Sequence, residues 1–182
     1  MSYQSPFTRG GASPGRFEDL LVHLEAHTLD VVLANQPAPA SAEQPLRSRL
    51  LARQPVSIVS SRPQPGFRFP QDLSGHAMIL PGPASVLRAE FDARCERLRA
   101  QVRVLAEVDD MATLRLLVRD TDALALVPSV VVRDELRQGT IHEVYTVPDL
   151  FESFYAITSK RRFEHPLVAS LLDREEAELL EG

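Results

Sequence analysis

Two histidines at helical spacing are the first candidates for chemistry in this sequence. His23 and His27 lie four residues apart, a separation at which one face of a helix can hold a zinc ion. Zinc proteases with this spacing carry a glutamate directly after the first histidine or directly before the second, whereas Glu25 lies midway between the two. Because the sequence also offers no evident third ligand, we expect both histidines to flank a solvated helix and to bind no metal.

Cys95 is the only cysteine of the chain and lies among Arg94, Arg97 and Arg99, whose charges would lower the pKa of a neighbouring thiol. A catalytic thiol also needs a base and a group that orients the base, and the sequence identifies neither. The sequence contains no phosphate-binding glycine loop, no dinucleotide-binding motif and no serine nucleophile motif either. We therefore predict a packed, unreactive thiol in a protein that is not an enzyme and uses no cofactor.

The more informative residues lie where predicted strands give way to predicted helices. In open α/β sheets, ligands bind outside the carboxyl ends of the strands, close to the unpaired N–H groups of the helices that follow. Three junctions of this kind are found at residues 81–85, 109–113 and 128–129. Because helix caps have the same composition, the alternative is that these residues only cap helices. We predict a binding site for a small ligand made from these junctions and from the end of an earlier strand: Asn35, Gly82, Ser85, Asp110, Thr113 and Pro128.

An alternation of strands and helices has to position these junctions. Apolar residues recur at helical spacing in some segments and form short continuous runs in others, which predicts helices and buried strands respectively. This alternation is typical of parallel βαβ units, and it predicts an α/β sheet covered on both faces. The predicted strands are residues 29–34, 56–60, 77–80, 102–108, 124–127, 141–144 and 152–158, and the predicted helices are residues 16–27, 85–99, 111–118, 129–136 and a last one from 166.

Two proline-containing breaks, near residues 60–66 and 146–151, divide the predicted fold into two lobes. Residues 16–60 and 150–182 are predicted to form lobe I, residues 61–149 lobe II, and residues 1–15 a disordered N-terminus. The cleft between two such lobes is a common place for a small ligand.

Composition restricts the classes of function. The 182 residues are 44% hydrophobic and 25% charged, as in ordinary globular proteins, and contain neither an apolar run long enough to cross a membrane nor a secretory signal. A formal net charge of -5 argues against a stand-alone nucleic-acid-binding protein, which needs a basic face. The single cysteine fits a reducing compartment, so we expect a cytoplasmic location.

Five segments in this order carry a family resemblance: LDVVLANQPAP, ILPGPASVLR, AEVDDMATLRLLVRD, LALVPSVVVRDEL and GTIHEVYTVPDLFESFYAITSKRRFEHP. Residues 16–180 resemble the effector-binding domain of LysR-type transcriptional regulators, and most of all the regulators of sodium/proton antiporter genes. The resemblance implies a fold like the type 2 periplasmic binding proteins, with two Rossmann-like lobes, two crossovers and an effector cleft. It also implies a ligand-sensing regulatory function and places Asn35, Ser85, Thr113 and Pro128 at that cleft.

The resemblance to antiporter regulators further implies sodium as a signal, whereas helix N-termini favour a small anion. Sodium prefers oxygen ligands such as carboxylates, for which Asp109 or Asp110 is better suited than Ser85. The sequence leaves both types of effector open.

The resemblance is incomplete at the N-terminus. Members of the family begin with a winged helix-turn-helix and a linker helix, and their sensing domain opens with a strand, a helix and a strand, none of which is recognisable before residue 16. We therefore expect an incomplete first lobe and no binding of operator DNA by this chain alone. Because side-by-side dimers in the family use the missing helix, the sequence leaves open a homo-oligomer or a partner regulator. The alternative function is a free-standing cytoplasmic solute-binding domain without a transcriptional role.

Overall fold

The computed structural model describes residues 15–40 and 46–159, in which a six-stranded mixed sheet carries helices on both faces. The order of strands across the sheet is β1-β6-β2-β5-β3-β4. Short 3-10 turns occupy Gln71–Gly75 and Ser129–Val132. The strands are β1 (Val32–Ala34), β2 (Leu46–Ser60), β3 (Ala77–Pro81), β4 (Arg103–Val108), β5 (Leu124–Pro128) and β6 (His142–Ser159), and the helices are α1 (Phe17–Glu25), α2 (Val86–Arg97), α3 (Met111–Asp120) and α4 (Arg133–Gln138).

The parallel strands end along one edge of the sheet. β3 pairs in parallel with β4 and with β5, so Pro81, Val108 and Pro128 all lie at the same side. β2 runs antiparallel to β5 with Val56 opposite Pro128, and its earlier half continues beyond this edge together with the later half of β6. β1 then pairs with the outer side of β6. This two-stranded extension brings the chain that follows β1 close to the beginning of α2.

The two longest strands were predicted as shorter pieces, and that prediction is wrong. β2 begins at Leu46 in a stretch predicted as a loop, and β6 joins the strands predicted at residues 141–144 and 152–158 into one. Pro55 lies beside a shift in strand register, and Pro148 precedes Asp149, whose φ of 56° bends the chain. Proline is tolerated where a strand bulges, since its missing N–H removes no hydrogen bond from the ladder there.

Most other elements match their predicted bounds within two residues. The strand predicted at residues 29–34 is shortened to Val32–Ala34, and the helix predicted at residues 129–136 is a 3-10 turn followed by α4. α4 ends at Gly139, whose φ of 71° is the left-handed conformation that terminates many helices. The N-terminal residues 1–14 and the helix predicted from residue 166 lie outside the described residues.

Three apolar cores hold these elements. Leu87 and Phe91 of α2 pack on one face of the central sheet, and Leu114 and Val118 of α3 pack on the other, which confirms a sheet covered on both sides. A third core joins α1 to β1 and β6 and contains Leu21, Leu24, Val32 and Ile157. No helix in the described part of the chain is long and apolar enough to cross a membrane.

The first predicted lobe boundary, between residues 60 and 61, falls within a single apolar core. Ile58, which precedes the boundary at residues 60 and 61, packs in the same core as Leu73, which follows it. The break near residues 60–66 therefore connects two parts of one core, whereas β2 and β6 themselves run from this core to that of α1. The division into lobe I and lobe II stays a prediction.

Candidate functional site

A cavity of about 350 Å³ opens between the chain after β1, the first turns of α2 and the outer half of β6. We call it the cleft cavity. Its walls come from three stretches that are far apart in the sequence, so it exists only because β6 carries β1 next to α2. The residues that line it are Asn35, Gln36, Pro37, Val86, Leu87, Glu90, Phe151, Glu152, Ser153 and Tyr155.

Glu152 is the buried charge of the cleft cavity. Its relative exposure is 9%, and its side chain is hydrogen-bonded to that of Asn35. Burial raises the pKa of the Glu152 carboxyl, and the nearby carboxylate of Glu90 raises it further, while the hydrogen bond from Asn35 lowers it. The cavity therefore contains two carboxylates, one of which is removed from water and is stabilised by any positive charge that enters.

The N-terminus of α2 borders the same cavity. Ser85 caps the helix by accepting a hydrogen bond of 3.5 Å from the backbone N–H of Arg88, and its own N–H donates to the carbonyl of Gly82 at 3.0 Å. Neither Gly82 nor Ser85 lines the cavity, but Val86 and Leu87 directly after them do. Ser85 is thus confirmed as a helix cap, and its contact with an effector stays a prediction.

Gly82 also permits a close approach that a larger residue would block. A Cβ at this position would lie 1.8 Å from Oδ1 of Asp109, so the Asp109 carboxylate covers the backbone of Gly82. This contact joins the junction after β3 to the junction after β4, as the prediction of a shared edge requires.

Arg88 fixes α2 to this edge, and sequence reasoning missed it. Its guanidinium donates to the carbonyl of Pro81 at 3.1 Å, to Glu107 at 2.9 Å and to Asp92 at 2.8 Å. The side chain is buried although charged, because each of these partners accepts a hydrogen bond from it. Only the spacing of four residues to Asp92 was visible in the sequence.

Asp110 and Thr113 satisfy each other at the N-terminus of α3. One carboxylate oxygen of Asp110 accepts from the Thr113 N–H at 2.7 Å and from the Thr113 hydroxyl at 2.6 Å, and these bonds hold the pKa of Asp110 below its ordinary value. Both side chains are exposed and lie outside the residues that line the cleft cavity. The capping role is confirmed, and the role in effector binding remains a prediction.

Pro128 ends β5 opposite Val56, and the hydroxyl that follows it belongs to a polar cluster. Ser57 is fully buried, with its hydroxyl 3.0 Å from that of Ser129, and it donates to Glu143 at 2.8 Å. Thr146 donates to the other oxygen of the Glu143 carboxylate at 2.9 Å. This cluster ties β2, β5 and β6 together where the long strands leave the central sheet.

The two histidines have separate partners. His23 lies 3.0 Å from the hydroxyl of Thr28, and His27 lies 3.3 Å from the hydroxyl of Ser159. Within residues 15–40 and 46–159, no three side chains of the metal-binding types come together. Of the six predicted site residues, Asn35 alone lines the cleft cavity, and the buried Glu152 of that cavity was not predicted as a site residue.

Cys95 lies in the core beneath α2 with a relative exposure of 5%, which confirms the predicted packing. Burial raises the pKa of its thiol to about 11, since the opposing effect of the Arg88 charge is smaller. We expect iodoacetamide to leave Cys95 unmodified at pH 8 for hours in the folded protein, because about one thiol in a thousand is ionised there. Complete alkylation in 6 M urea is the control, and rapid labelling of the folded protein would contradict the core position.

The long strands of the mixed sheet carry a second set of elements to the carboxyl ends of its parallel strands, and a cavity lies between these two parts. This arrangement defines a ligand-binding domain of the periplasmic-binding-protein type. Comparison with known proteins agrees. The sequence profile of the LysR substrate-binding domain matches residues 13–178, and the chain belongs to this family of transcription regulators.

Curated relatives and solved structures are consistent with this assignment. Over 151 residues, the chain is 26% identical to the transcriptional activator protein NhaR of Escherichia coli K12 and to NhaR of Shigella flexneri. This alignment covers 83% of the chain, and the chain spans about half the length of these relatives. Both relatives are named as transcriptional activators.

Structural similarity extends over most of the chain. The regulatory domain of HypT from Salmonella typhimurium superposes with a TM-score of 0.71 at 14% identity, covering 98% of this chain and 86% of that one. DarR from Vibrio fischeri, solved in complex with DNA, gives 0.70 at 17% identity over 90% and 57% of the two chains. The effector-binding domain of QuiR in complex with shikimate gives 0.63 at 16% identity over 87% and 76%. These similarities show the fold.

Proposed function

We propose that this chain is the ligand-sensing domain of a LysR-type regulator and binds a small effector or ion in the cleft cavity. The observation that carries the proposal is the composition of that cavity, in which Asn35 from one side and Leu87 and Glu90 from the other face the buried Glu152. A ligand held there touches the chain after β1 and the start of α2 at once. Its binding free energy would therefore favour one relative position of these two parts over others.

The charge of the cleft cavity supports a cation as the effector. An anion would be repelled by Glu90 and Glu152, whereas a sodium ion or a small amine would offset the cost of burying the Glu152 carboxylate. Carboxylate, amide and backbone oxygens are the ligands that hard cations prefer. The sodium signal implied by the resemblance is thus better accommodated at Glu152 than at Asp110, whose oxygens are occupied by α3.

We further propose that contact with operator DNA is made by a separate part of the regulator and that the protein works in the cytoplasm. The formal charge of -5 supports the first point, since binding to phosphates requires a basic face. Neither point is needed for the cation to bind.

Thermal unfolding in different salts tests the proposal. Replacing choline chloride by sodium chloride at constant ionic strength is expected to raise the Tm by a few degrees, because a ligand that binds only the folded state stabilises it by mass action. Methylammonium chloride measured in the same way tests the small-amine form of the effector. An Asn35→Ala variant is expected to lose most of the response, since Asn35 orients the Glu152 carboxyl.

Asp110→Asn is the matched control for that experiment. It removes a charge at the other predicted junction but keeps a residue that caps helices well, so the response to sodium should stay as in the unaltered protein. Equal Tm values in all three salts, or a response lost in Asp110→Asn and kept in Asn35→Ala, would contradict the proposal.

A further inference from the structure

A second cavity, of about 410 Å³, lies at the opposite end of α2 from the cleft cavity. Its walls are the last turn of α2, the chain before the turn at Gln71–Gly75 and the middle of β6 where the strand bends. None of its lining residues lines the cleft cavity. It is therefore a separate concave site on the same helix.

The floor of the second cavity is apolar and aromatic. The ring of Phe69 stacks on the ring of Tyr145 with centroids 5.1 Å apart and planes 13° apart, and it also lies 6.5 Å from the buried ring of Phe91. Val147 is buried beneath the cavity, while Leu98 at its rim is 49% exposed. The stacked rings form an ordered apolar surface that is accessible from solvent, against which the hydrocarbon part of a ligand can pack.

Two arginines of α2 face this apolar surface. Arg94 is held in place, since it donates to the backbone carbonyls of Glu90 and Asp149 and lies 3.6 Å from the Glu90 carboxylate. Arg97, one turn further on, is exposed, and within the described part of the chain its guanidinium has no hydrogen bond or ion pair. A guanidinium beside an apolar cavity can bind a carboxylate through two parallel hydrogen bonds.

We propose that the second cavity binds an amphipathic monocarboxylate. Its hydrocarbon part lies over Phe69, Tyr145 and Leu98, and its carboxylate pairs with Arg97 at the rim, with Arg94 in reach. Occupation of this site does not require the cation proposed for the cleft cavity.

Its position suggests how it would act on the cleft cavity, a consequence that rests on the proposed function. Glu90 pairs with Arg94 on the side of the second cavity and lines the cleft cavity on the other. A carboxylate that draws Arg94 toward itself leaves Glu90 less neutralised, so the cleft cavity becomes more negative and binds a cation more tightly. By linkage, the cation would strengthen binding of the carboxylate by the same factor.

Titration of the full chain with 4-phenylbutyrate, followed by ligand-observed NMR in a sodium-free choline buffer, tests the site. 4-Phenylbutan-1-ol is the matched ligand, because it keeps the ring and chain and lacks the charge. We expect saturable binding of the acid with a Kd below about 1 mM and binding of the alcohol weaker by about tenfold or more. An Arg97→Gln variant should bind the acid about as weakly as the unaltered protein binds the alcohol.

Arg119→Gln is the matched variant, since it removes an exposed arginine from α3 on the opposite face of the sheet and should bind as the unaltered protein does. Circular dichroism of both variants checks that α2 and α3 remain folded. Absence of saturation up to about 5 mM acid, or equal affinities for the acid and the alcohol, would overturn the proposal. Equal affinities of the unaltered protein and Arg97→Gln would overturn it as well. None of these outcomes depends on whether sodium binds in the cleft cavity.

Discussion

Replacing Phe91 by alanine is expected to lower the free energy of unfolding by about 3–5 kcal/mol, the range found for fully buried aromatic residues. The ring has a relative exposure of 0% and lies between α2 and the central sheet, in a core shared with Ile58, Met78 and Leu126. Removing it leaves a cavity that the surrounding strands cannot close, because they are hydrogen-bonded on both sides.

Urea denaturation followed by circular dichroism measures this loss. Leu116→Ala is the matched control, since Leu116 is 45% exposed on α3 and alanine is a good helix former, so its cost should stay below about 0.5 kcal/mol. If the two variants lost similar amounts, α2 would not be docked as described. Because α2 lines both cavities, Phe91→Ala should also weaken the responses to sodium and to 4-phenylbutyrate.

The central part of the fold was predictable because its apolar patterns are strong. β3, α2, β4, α3 and β5 all have continuous or helically spaced apolar residues that face the two cores, and their bounds follow from these patterns. The physical reason is that β3, α2, α3 and β5 each bury residues in these cores, so the sequence has to encode an apolar face. β4, at the edge of the sheet, buries no residue and is marked only by its run of apolar residues.

The long antiparallel strands were not predictable in the same way. The first half of β2 reads LRSRLLARQP, and most of its side chains are exposed or half-buried, so no buried face marks it as a strand. Its structure is imposed by pairing with β6, from Leu46 opposite Ser159 to Pro55 opposite Phe151. Such pairing depends on a distant segment, and the prolines in both strands argued locally against it.

The residues of the candidate site were likewise predictable only where the local sequence marks them. Asn35 was predictable because it ends a recognisable strand, whereas Glu152 lies within a strand between Phe151 and Ser153 and resembles an ordinary outward-facing residue. Only the packing of α2 and of the chain after β1 against β6 buries it. In the sequence, the one signal is that Glu152 is the only charged residue of the strand predicted at residues 152–158.

Glu152→Gln is expected to stabilise the protein near pH 7.5 and to abolish its response to sodium. Glutamine has the same shape and can keep a hydrogen bond to Asn35, but it removes a charge that burial and Glu90 make unfavourable. Loss of the same charge removes the anionic ligand proposed for a cation. Stability and cation binding should therefore change in opposite directions in one variant, which a general disturbance of the fold would not produce.

The raised pKa of Glu152 determines how its contribution to stability changes with pH. The native pKa of Glu152 lies above its ordinary value of 4.5, so the native state holds the proton more tightly than the unfolded state does. The favourable contribution of the protonated group is complete below about pH 4 and is lost as the pH rises through the native pKa. The stability difference between Glu152→Gln and the unaltered protein should accordingly be small at pH 4 and grow as the pH rises to 7.5.

The stabilisation by sodium should grow as the pH rises, whereas that by the proton is lost, since sodium binds the ionised carboxylate. The rise in Tm caused by sodium should increase with pH in the unaltered protein and be absent at every pH in Glu152→Gln. Glu96→Gln, which removes an exposed carboxylate from α2, is the matched variant and should keep both the response to sodium and its increase with pH. A Glu152→Gln protein that is less stable at pH 7.5 would contradict the unfavourable buried charge. One that still responds to sodium would contradict the carboxylate as the ligand of the cation.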